Sequence, residues 1–596
     1  MTQGSANREM SNVESVEVMK GPAAILYGMV EPGGMVNVIT KQPLATPYYA
    51  LNQQIGSYNL YRTTIDATGP VADNKNVLYR MNMSYQNNGS FRDLVDNEDI
   101  FVAPIVKWNI SPKTQITAEL EYNHKHQGQN MSAIPWVNGG LLSIPRNQTY
   151  GEYSPEIVDT IFGSLNWSHQ FNDDWQIKHK FSVNQTSDNF LHFANANSYS
   201  GGSTISRYNV GLNSQYDTYS TNLDLTGHFD TWKFKHTLLI GGDYYRTNNN
   251  SGYGAGIKIS SLAWDLSAIN VFNPVHPGTL YTQPIANYLQ INNQTDQYGV
   301  YIQDQIKLPF DVHVMGGIRY QNFHQVTDSS MPSWFYGGSQ DSTGQSQDAV
   351  TPRVGLLWKA QNWLSLYTNY SESFGMNQGL LFPGKTPPPT SAEQYEGGIK
   401  TEFFNSRLRA NLAYYDLTKT NVMTTDMAHL GFSIATGAVR SRGPELDITG
   451  EILPGWNIIA TYANTDARVV KSNDVGFQAV GTRFYSVSRN TASFWNTYEL
   501  QDTLLKGFKV GGGVTMRDGQ TTCCDTSSVN LPGYATVDML AAYSLKVGKS
   551  KLSLQLNVNN LLDKNYFTNG QIAAGNYGNV IFGTPRTFMG SIGIQF

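Results

Sequence analysis

At 596 residues the chain would ordinarily divide into several domains of roughly 100–200 residues, unless it forms one very large closed sheet. Charged residues are only 15%, against about 25% in soluble proteins. The mean hydropathy is nevertheless −0.36, because Asn, Gln, Ser, Thr, 55 Gly and 35 Tyr take their place. Aromatics at 12% and a net charge of −5 argue against disorder, and 41 Lys+Arg against 46 Asp+Glu leave no basic footprint for nucleic acid.

No apolar run approaches the roughly 18 residues of a membrane helix; runs as short as Leu238-Leu239-Ile240 are typical. The two cysteines, Cys523 and Cys524, are adjacent, which gives no zinc-site spacing. Low cysteine suits a secreted or periplasm-facing protein. The N-terminus shows no basic segment followed by an apolar one, so a signal peptide is not expected in this sequence.

In chain order, residues 1–46 read as compact mixed structure. A short apolar pattern (Val13, Val16, Val18, Ile25, Leu26) is broken by Gly21-Pro22, and Glu31-Pro32-Gly33-Gly34 turns into a strand over residues 35–40. This segment is too small to hold a core alone and must lean on something else.

From residue 47 on, period-two alternation dominates in segments of about ten residues. Ile116, Ala118, Leu120 and Tyr122 oppose Gln115, Thr117, Glu119 and Glu121; Ile177, Phe181 and Val183 oppose Gln176, Lys178, Lys180 and Ser182. At the end, Phe588, Ile592, Ile594 and Phe596 share one side. The polar faces carry more Glu, Lys, Gln and Asn than a dry core can satisfy, whereas a water-filled lumen can. Aromatics cluster at strand ends, as at Tyr244-Tyr245 and Tyr414-Tyr415, which suits interfacial girdles. A propeller or solenoid would show a repeat of about 40–50 residues, and none is found.

Short connections (71–74, 109–112, 172–174, 359–362) alternate with long ones near 125–155, 188–215, 249–293, 326–349, 374–391, 419–437, 519–533 and 563–582. The pattern predicts an all-β transmembrane protein: a 22-stranded antiparallel outer-membrane β-barrel over 47–596, of the plugged-lumen size class.

VESVEVMKGPAAILYGMVEPGGMVNVITKQP (13–43) resembles the plug of TonB-dependent siderophore receptors, and the order of its elements makes the match specific. Further resemblance runs through DQYGVYIQDQIKL (296–308), TPRVGLLWK (351–359), SLYTNYSESF (365–374), QYEGGIK (394–400), VRSRGPELDITGEILPGWN (439–457) and LNVNNLLDKNY (556–566). The resemblance is strongest to the ferrichrome, ferrioxamine, coprogen and pyoverdine receptors. One departure is Ser15, where the family usually has Arg.

The resemblance implies import of a ferric siderophore across the outer membrane of a Gram-negative bacterium, energised by the TonB–ExbB–ExbD complex. The barrel would sit among lipid and lipopolysaccharide, with Phe596 as the terminal aromatic read by the barrel assembly machinery. Residues 1–46 would be the rear of an α+β plug domain, with Gly21, Pro22, Gly33 and Gly34 at its turns. The front of that plug, the TonB box and the signal peptide are not found in the sequence, so the chain as written is expected to insert without transporting.

The resemblance also suggests that Lys20 bridges Glu396 and Glu445 as a latch between plug and wall. Strand parity places both carboxylates opposite outward-facing Tyr395, Ile399, Leu446 and Ile448, and the other reading is solvated lumen charges. Ligand capture is expected to use aromatics at the mouth: Trp136, Tyr199, Tyr208, Tyr253, Trp264, Trp334, Phe335 and Tyr336. Each is also a candidate girdle or packing residue. The iron of a siderophore arrives fully coordinated, so no protein metal ligands and no resident cofactor are expected. His124 and His126 have strand spacing that fits either a metal pair or two solvated histidines. Cys523-Cys524 fits a strained vicinal disulfide or two free thiols.

No G-x-S-x-G elbow, H-E-x-x-H or phosphate-binding loop occurs, so the chain is not expected to be an enzyme. A haem receptor on the same scaffold lacks its FRAP and NPNL boxes here. A passive pore is disfavoured by the plug motif, and a signalling receptor by the absence of an N-terminal domain before residue 13.

Overall fold

The structure is a computed structural model. It describes the chain apart from residues 1–7, 23–27, 29–31, 73, 129–133, 138–139, 200–202, 256, 259–262, 265–266, 279–285, 332–338, 378–380, 382–386, 426–432, 473–478, 502–504, 522–529 and 574–576.

Alternation becomes a closed antiparallel barrel of 22 wall strands among the described residues. Two short segments, Ser267–Asn270 and Asp466–Lys471, extend the wall at its edge by pairing with Thr204–Thr231 and Ser433–Leu453. Closure is made by the ends of the chain. Tyr48–Gly56 pairs with Leu60–Val71 on one side and with Thr587–Gln595 on the other. Phe596 N–H donates to the Tyr49 carbonyl at 2.9 Å, and Tyr49 N–H donates back at 3.4 Å. A closed sheet leaves no backbone edge for lipid to desolvate.

The two faces differ as the parity requires. Leu51, Ile65, Val106, Trp108, Leu120, Phe181, Val300, Leu356, Ile399 and Ile592 lie exposed on the outer wall. Asp66, Arg80, Asn82, Glu121, Lys125, Arg319 and Gln321 are buried on the inner one. Among the described residues no helix is long and apolar enough to cross a membrane, and crossing is by strands.

The tight rim follows the expected turns: Ala72, the 112–113 turn, 171–174, and 362–363 join neighbouring strands. The opposite rim departs from expectation. Segments 188–215 and 326–349 are largely strand rather than loop, because Trp175–Tyr199, Thr204–Thr231, Ala286–Leu308, Val312–Met331 and Ser339–Gln361 run on for 25, 28, 23, 20 and 23 residues. A spanning strand needs only about 9–11 residues. The remainder stands clear of the apolar band, where Asn- and Ser-rich strands pair with each other; polarity there misled the loop assignment.

In the described part of residues 1–46 the regular structure is the antiparallel pair Val13–Lys20 with Gly34–Thr40. Gly21 N–H donates to the Gly33 carbonyl at 3.4 Å at one end, and Lys41 N–H to the Asn12 carbonyl at 2.8 Å at the other. Gly34 needs its glycine: its φ is +124° and a β-carbon would collide with the Met19 carbonyl across the pair.

Candidate functional site

The inner strand pair is held to the wall by three groups of polar contacts. At its open end, Glu9 meets Arg62, Arg8 donates to Glu121 at 2.7 Å, and Asn12, fully buried, donates to the same Glu121 oxygen at 2.7 Å. Lys41 reaches Asp66 at 3.0 Å and the Ser11 carbonyl at 2.7 Å. Arg80 grips the same Asp66 through two nitrogens, at 2.9 and 2.7 Å. A carboxylate shared by a bidentate guanidinium and an ammonium has its acceptor capacity well used, which is what allows so buried a charge to persist.

At the other end, Lys20 Nζ sits 3.0 Å from Glu445 and 2.9 Å from Asp447. Burial disfavours the ammonium, but hydrogen bonds and charge from Asp447 and Glu445 outweigh it and hold Lys20 above its ordinary range. Glu396 does not join them. It accepts from Tyr367 Oη at 2.7 Å and from Gln394 Nε2 at 3.0 Å. Asp447 takes the place expected of Glu396, because it stands two residues from Glu445 on the same face of one strand, whereas Glu396 lies two strands away.

The third group is a seat for glycines. Gly21 (φ +79°) lies so close to the Gln394 amide that a β-carbon would strike it, and Gly21 and Pro22 are buried. Gly28 (φ +72°) meets Gln297, Arg319 and Gln321 in the same way. Arg319 is fully buried, paired with Asp243 at 2.7 Å through both terminal nitrogens, and bonded to Gln321 at 2.8 Å. Its guanidinium crosses to Asp243 over Gly299, where any side chain would block it. Gly33, by contrast, has open space where a β-carbon would go.

At the mouth, the connection around 142–154 ties several others together. Tyr150 is buried with Ile205, Ile269 and Val271 and donates to the Val271 carbonyl at 3.0 Å. Arg207, almost wholly buried, donates to the Tyr150 carbonyl at 3.0 Å and to Glu152 at 2.9 Å, while Gly278 N–H donates to Glu152 at 3.0 Å. Arg146 clasps Asp563 with two 2.9 Å bonds. Asn147 adds the 90–95 turn: its side-chain amide donates to the Asp93 carboxylate at 3.0 Å and its carbonyl accepts from Asp93 N–H at 2.9 Å. Within that turn Arg92 is 2% exposed, its three guanidinium nitrogens have no hydrogen-bond partner, and it lies 5.0 Å from the Phe91 ring and 5.9 Å from the Phe582 ring. Burial pushes it down to about 10.

Of the aromatic ligand candidates, Tyr253 is half-buried in Phe234–Ala255, on the inward parity of Asp243 and opposite Leu212. Trp136, Tyr199, Tyr208 and Trp264 have backbones in strands, but their side chains lie outside the described ones. Trp334, Phe335, Tyr336, Cys523 and Cys524 lie outside the described residues. His124 and His126 point outward and each takes its own acid: His124 lies 2.8 Å from Asp159, and His126 lies 3.0 Å from Tyr153 Oη and 3.7 Å from Asp96. The described residues hold no cluster of three or more potential metal ligands.

An apolar-walled closed barrel with a strand pair tethered inside by ion pairs defines an outer-membrane β-barrel with an occupied lumen. Residues 107–561 match the family described as TonB dependent receptor-like, beta-barrel, and the chain belongs to it, which places it in the outer membrane of a Gram-negative bacterium. It is 30% identical over 605 residues to the metal-pseudopaline receptor CntO of Pseudomonas aeruginosa strain PAO1, covering 99% of this chain and 82% of that one. It is 27% identical over 599 residues to the ferrioxamine B receptor of Salmonella typhimurium strain SL1344, covering 98% and 80%. Among solved structures, it is similar to the ferric-catecholate import receptor Fiu of Escherichia coli K12 (TM-score 0.88, 22% identity, 100% of this chain and 88% of that one). The siderophore receptor PiuA of Acinetobacter baumannii gives a TM-score of 0.89 at 21% identity, with the same coverage.

Proposed function

We propose that this receptor imports a ferric siderophore, with energy delivered through TonB and its ExbB–ExbD partners. The observation that carries the reading is the way the inner strand pair is held. Its contacts are polar and exchangeable for water, so the barrel wall can keep its shape while the inner segment shifts. Lys20, Glu445 and Asp447 are assigned as one latch, and Glu9, Asn12 and Lys41 with Arg62, Asp66, Arg80 and Glu121 as the second. Mouth aromatics such as Tyr253 are assigned to the ligand, which brings its metal already coordinated and needs no protein donor or resident cofactor. Lipid and lipopolysaccharide surround the wall, and the barrel assembly machinery inserts it.

A second reading, import of a metal chelate other than a ferric one, is favoured by the likeness to the metal-pseudopaline receptor. Both are tested by accumulation of radiolabelled ferric siderophores, and of nickel, cobalt or zinc chelates, in cells that lack their own receptors and express this one. Saturable accumulation that vanishes with TonB supports import. Linear, TonB-independent entry supports a passive pore instead, and the chelate that saturates chooses between iron and other metals.

A further inference from the structure

The inner wall near the tight rim carries a cluster that neither latch uses. A cavity of about 460 Å³ is lined by His313, Arg353, Lys359, Tyr367, Asn369 and Lys400, together with neutral residues, and no Asp or Glu lines it. The register explains why these cations converge. Lys359 and Lys400 both stand opposite Ser365, one on each side, so they share a row across three strands. Two strand spacings set their backbones roughly 10 Å apart. In the next row, His313, Leu357 and Tyr367 are consecutive neighbours, and Gly398 follows, where a β-carbon would strike the Tyr367 ring. That missing side chain lets the ring lie flat against the wall, and Lys400 Nζ rests 4.7 Å from its centroid.

Among the described residues Arg353, Lys359 and Lys400 have no carboxylate within ion-pair distance, unlike most inner-wall arginines described above. The nearby acids have direct partners of their own, Glu396 in Tyr367 and Gln394 and Asp311 in Lys307 at 3.0 Å, and act on Arg353 and Lys359 only from beyond contact. Arg353 Nε and His313 Nε2 are buried without a hydrogen-bond partner. Arg353, two solvent-exposed lysines and two nitrogens without a hydrogen-bond partner around one hollow make it a place of positive potential that a negative group would relieve. Low-dielectric walls concentrate that field.

We propose that this hollow is a station for a multivalent, carboxylate-bearing anion, here the acidic periphery of the metal chelate as it leaves the lumen. The assignment rests on the import reading above and extends it to the charge of the cargo. On the way from the mouth to the tight rim, this hollow offers a chelate a lining with cations and no carboxylate. The row spacing favours an anion with two acidic groups over a single small one, because one point charge cannot neutralise Lys359 and Lys400 together.

The test uses the purified receptor in detergent micelles, with citrate as the probe and lysine acylation by a water-soluble active ester, read residue by residue by mass spectrometry. Citrate should slow acylation of Lys359 and Lys400 several-fold, and added salt should erase the effect. Lys546 and Lys551, which face each other elsewhere on the tight rim, should be unaffected. Arg353→Gln should remove the protection; Lys400→Gln, read at Lys359, serves if the first variant does not fold. Unchanged rates at Lys359 and Lys400, or equal slowing at Lys546 and Lys551, would overturn the station. Monovalent acetate protecting as well as citrate would overturn the two-group geometry. Cellular accumulation of chelate is measured separately. Protection without accumulation refutes import and leaves the station, whereas accumulation without protection refutes the station and leaves import.

Discussion

Lys20 of the inner strand pair and Asp447 of the wall lie 2.9 Å apart, although 427 residues separate them in the chain. Asp447 and its neighbour Glu445 hold the ammonium from one strand, so the contact can break at a single place. Lys20 is 48% exposed, and such wetted pairs contribute only about 0.2–1 kcal/mol each. Lys20→Met is therefore expected to leave barrel melting unchanged and to raise entry of bulky antibiotics modestly. Glu445→Gln with Asp447→Asn should match it, and Glu396→Gln should not. An Lys20→Met phenotype mirrored by Glu396→Gln alone would refute this pairing.

Asp66 is a different kind of contact. It is 11% exposed and serves both Arg80 and Lys41, so Asp66→Asn leaves a buried guanidinium without its counter-charge. Breaking such a pair costs about 3–5 kcal/mol. Hydrogen exchange of Val13–Lys20 and Gly34–Thr40 should accelerate strongly, whereas exchange in distant wall strands such as Asn490–Glu499 should not change. Equal protection in the variant would contradict the assignment.

Gly34→Ala forces a β-carbon toward the Met19 carbonyl at a φ of +124°. The expected cost is about 1–3 kcal/mol, felt in the inner strand pair alone. Gly33→Ala, with open space at that position, is the control and should be close to neutral.

The Arg146–Asp563 clasp predicts acid sensitivity at the mouth. The Arg586 backbone N–H and the Arg146 guanidinium hold the Asp563 carboxyl below the usual carboxylate range. A depressed carboxyl contributes stability that is complete above its unfolded value of about 3.9 and is lost as pH falls through the folded value. Loosening of the 560–566 turn should thus appear only below about pH 4. In Asp563→Asn it should be present already at neutral pH, as followed by limited proteolysis.

Arg92 offers the reverse case. A buried cation with no hydrogen-bond partner is held only by two phenyl rings, and an apolar side chain of similar length fills the same space without desolvating a charge. Arg92→Met is expected to raise resistance of the Phe567–Phe582 region to proteolysis rather than lower it. A clear drop in resistance would show that the cation has a partner in solution.

Most of the wall was legible in the sequence because a barrel writes its two solvents into alternate residues, as in Gln115–Tyr122, and one-residue slips would exchange them. Parity also sent Glu396 and Glu445 inward. It could not tell which of them a lysine meets, nor pick out Asp447 two residues on from Glu445, since that choice depends on the register between strands and on how far a lysine reaches. The Asp66–Arg80–Lys41 group was missed for a related reason: Lys41 lies after the inner strand pair, where a basic residue reads as an ordinary solvated end. Its signal was the pair of opposite charges with inward parity on adjoining strands. A related signal marks Asp243 and Arg319, opposite charges of inward parity one strand apart with the small residue Gly299 on the strand between them. The overlong strands were illegible because their upper parts face water on both sides, and no alternation is then imposed.

The hydrogen bonds between Tyr49 and Phe596 impose an order on the life of the molecule. The two strands that meet at this seam are the first and last of the wall, so neither acquires its second neighbour until the whole length between them has left the ribosome and crossed the inner membrane. Until then the chain carries two unsatisfied backbone edges that no bilayer interior can tolerate and that any neighbouring strand can capture. The seam therefore sets a condition on assembly: both edges need cover of some kind until it closes. Damage to the final nine-residue strand should then act as a defect of delivery, depleting the receptor from the membrane without altering the behaviour of the copies that arrive.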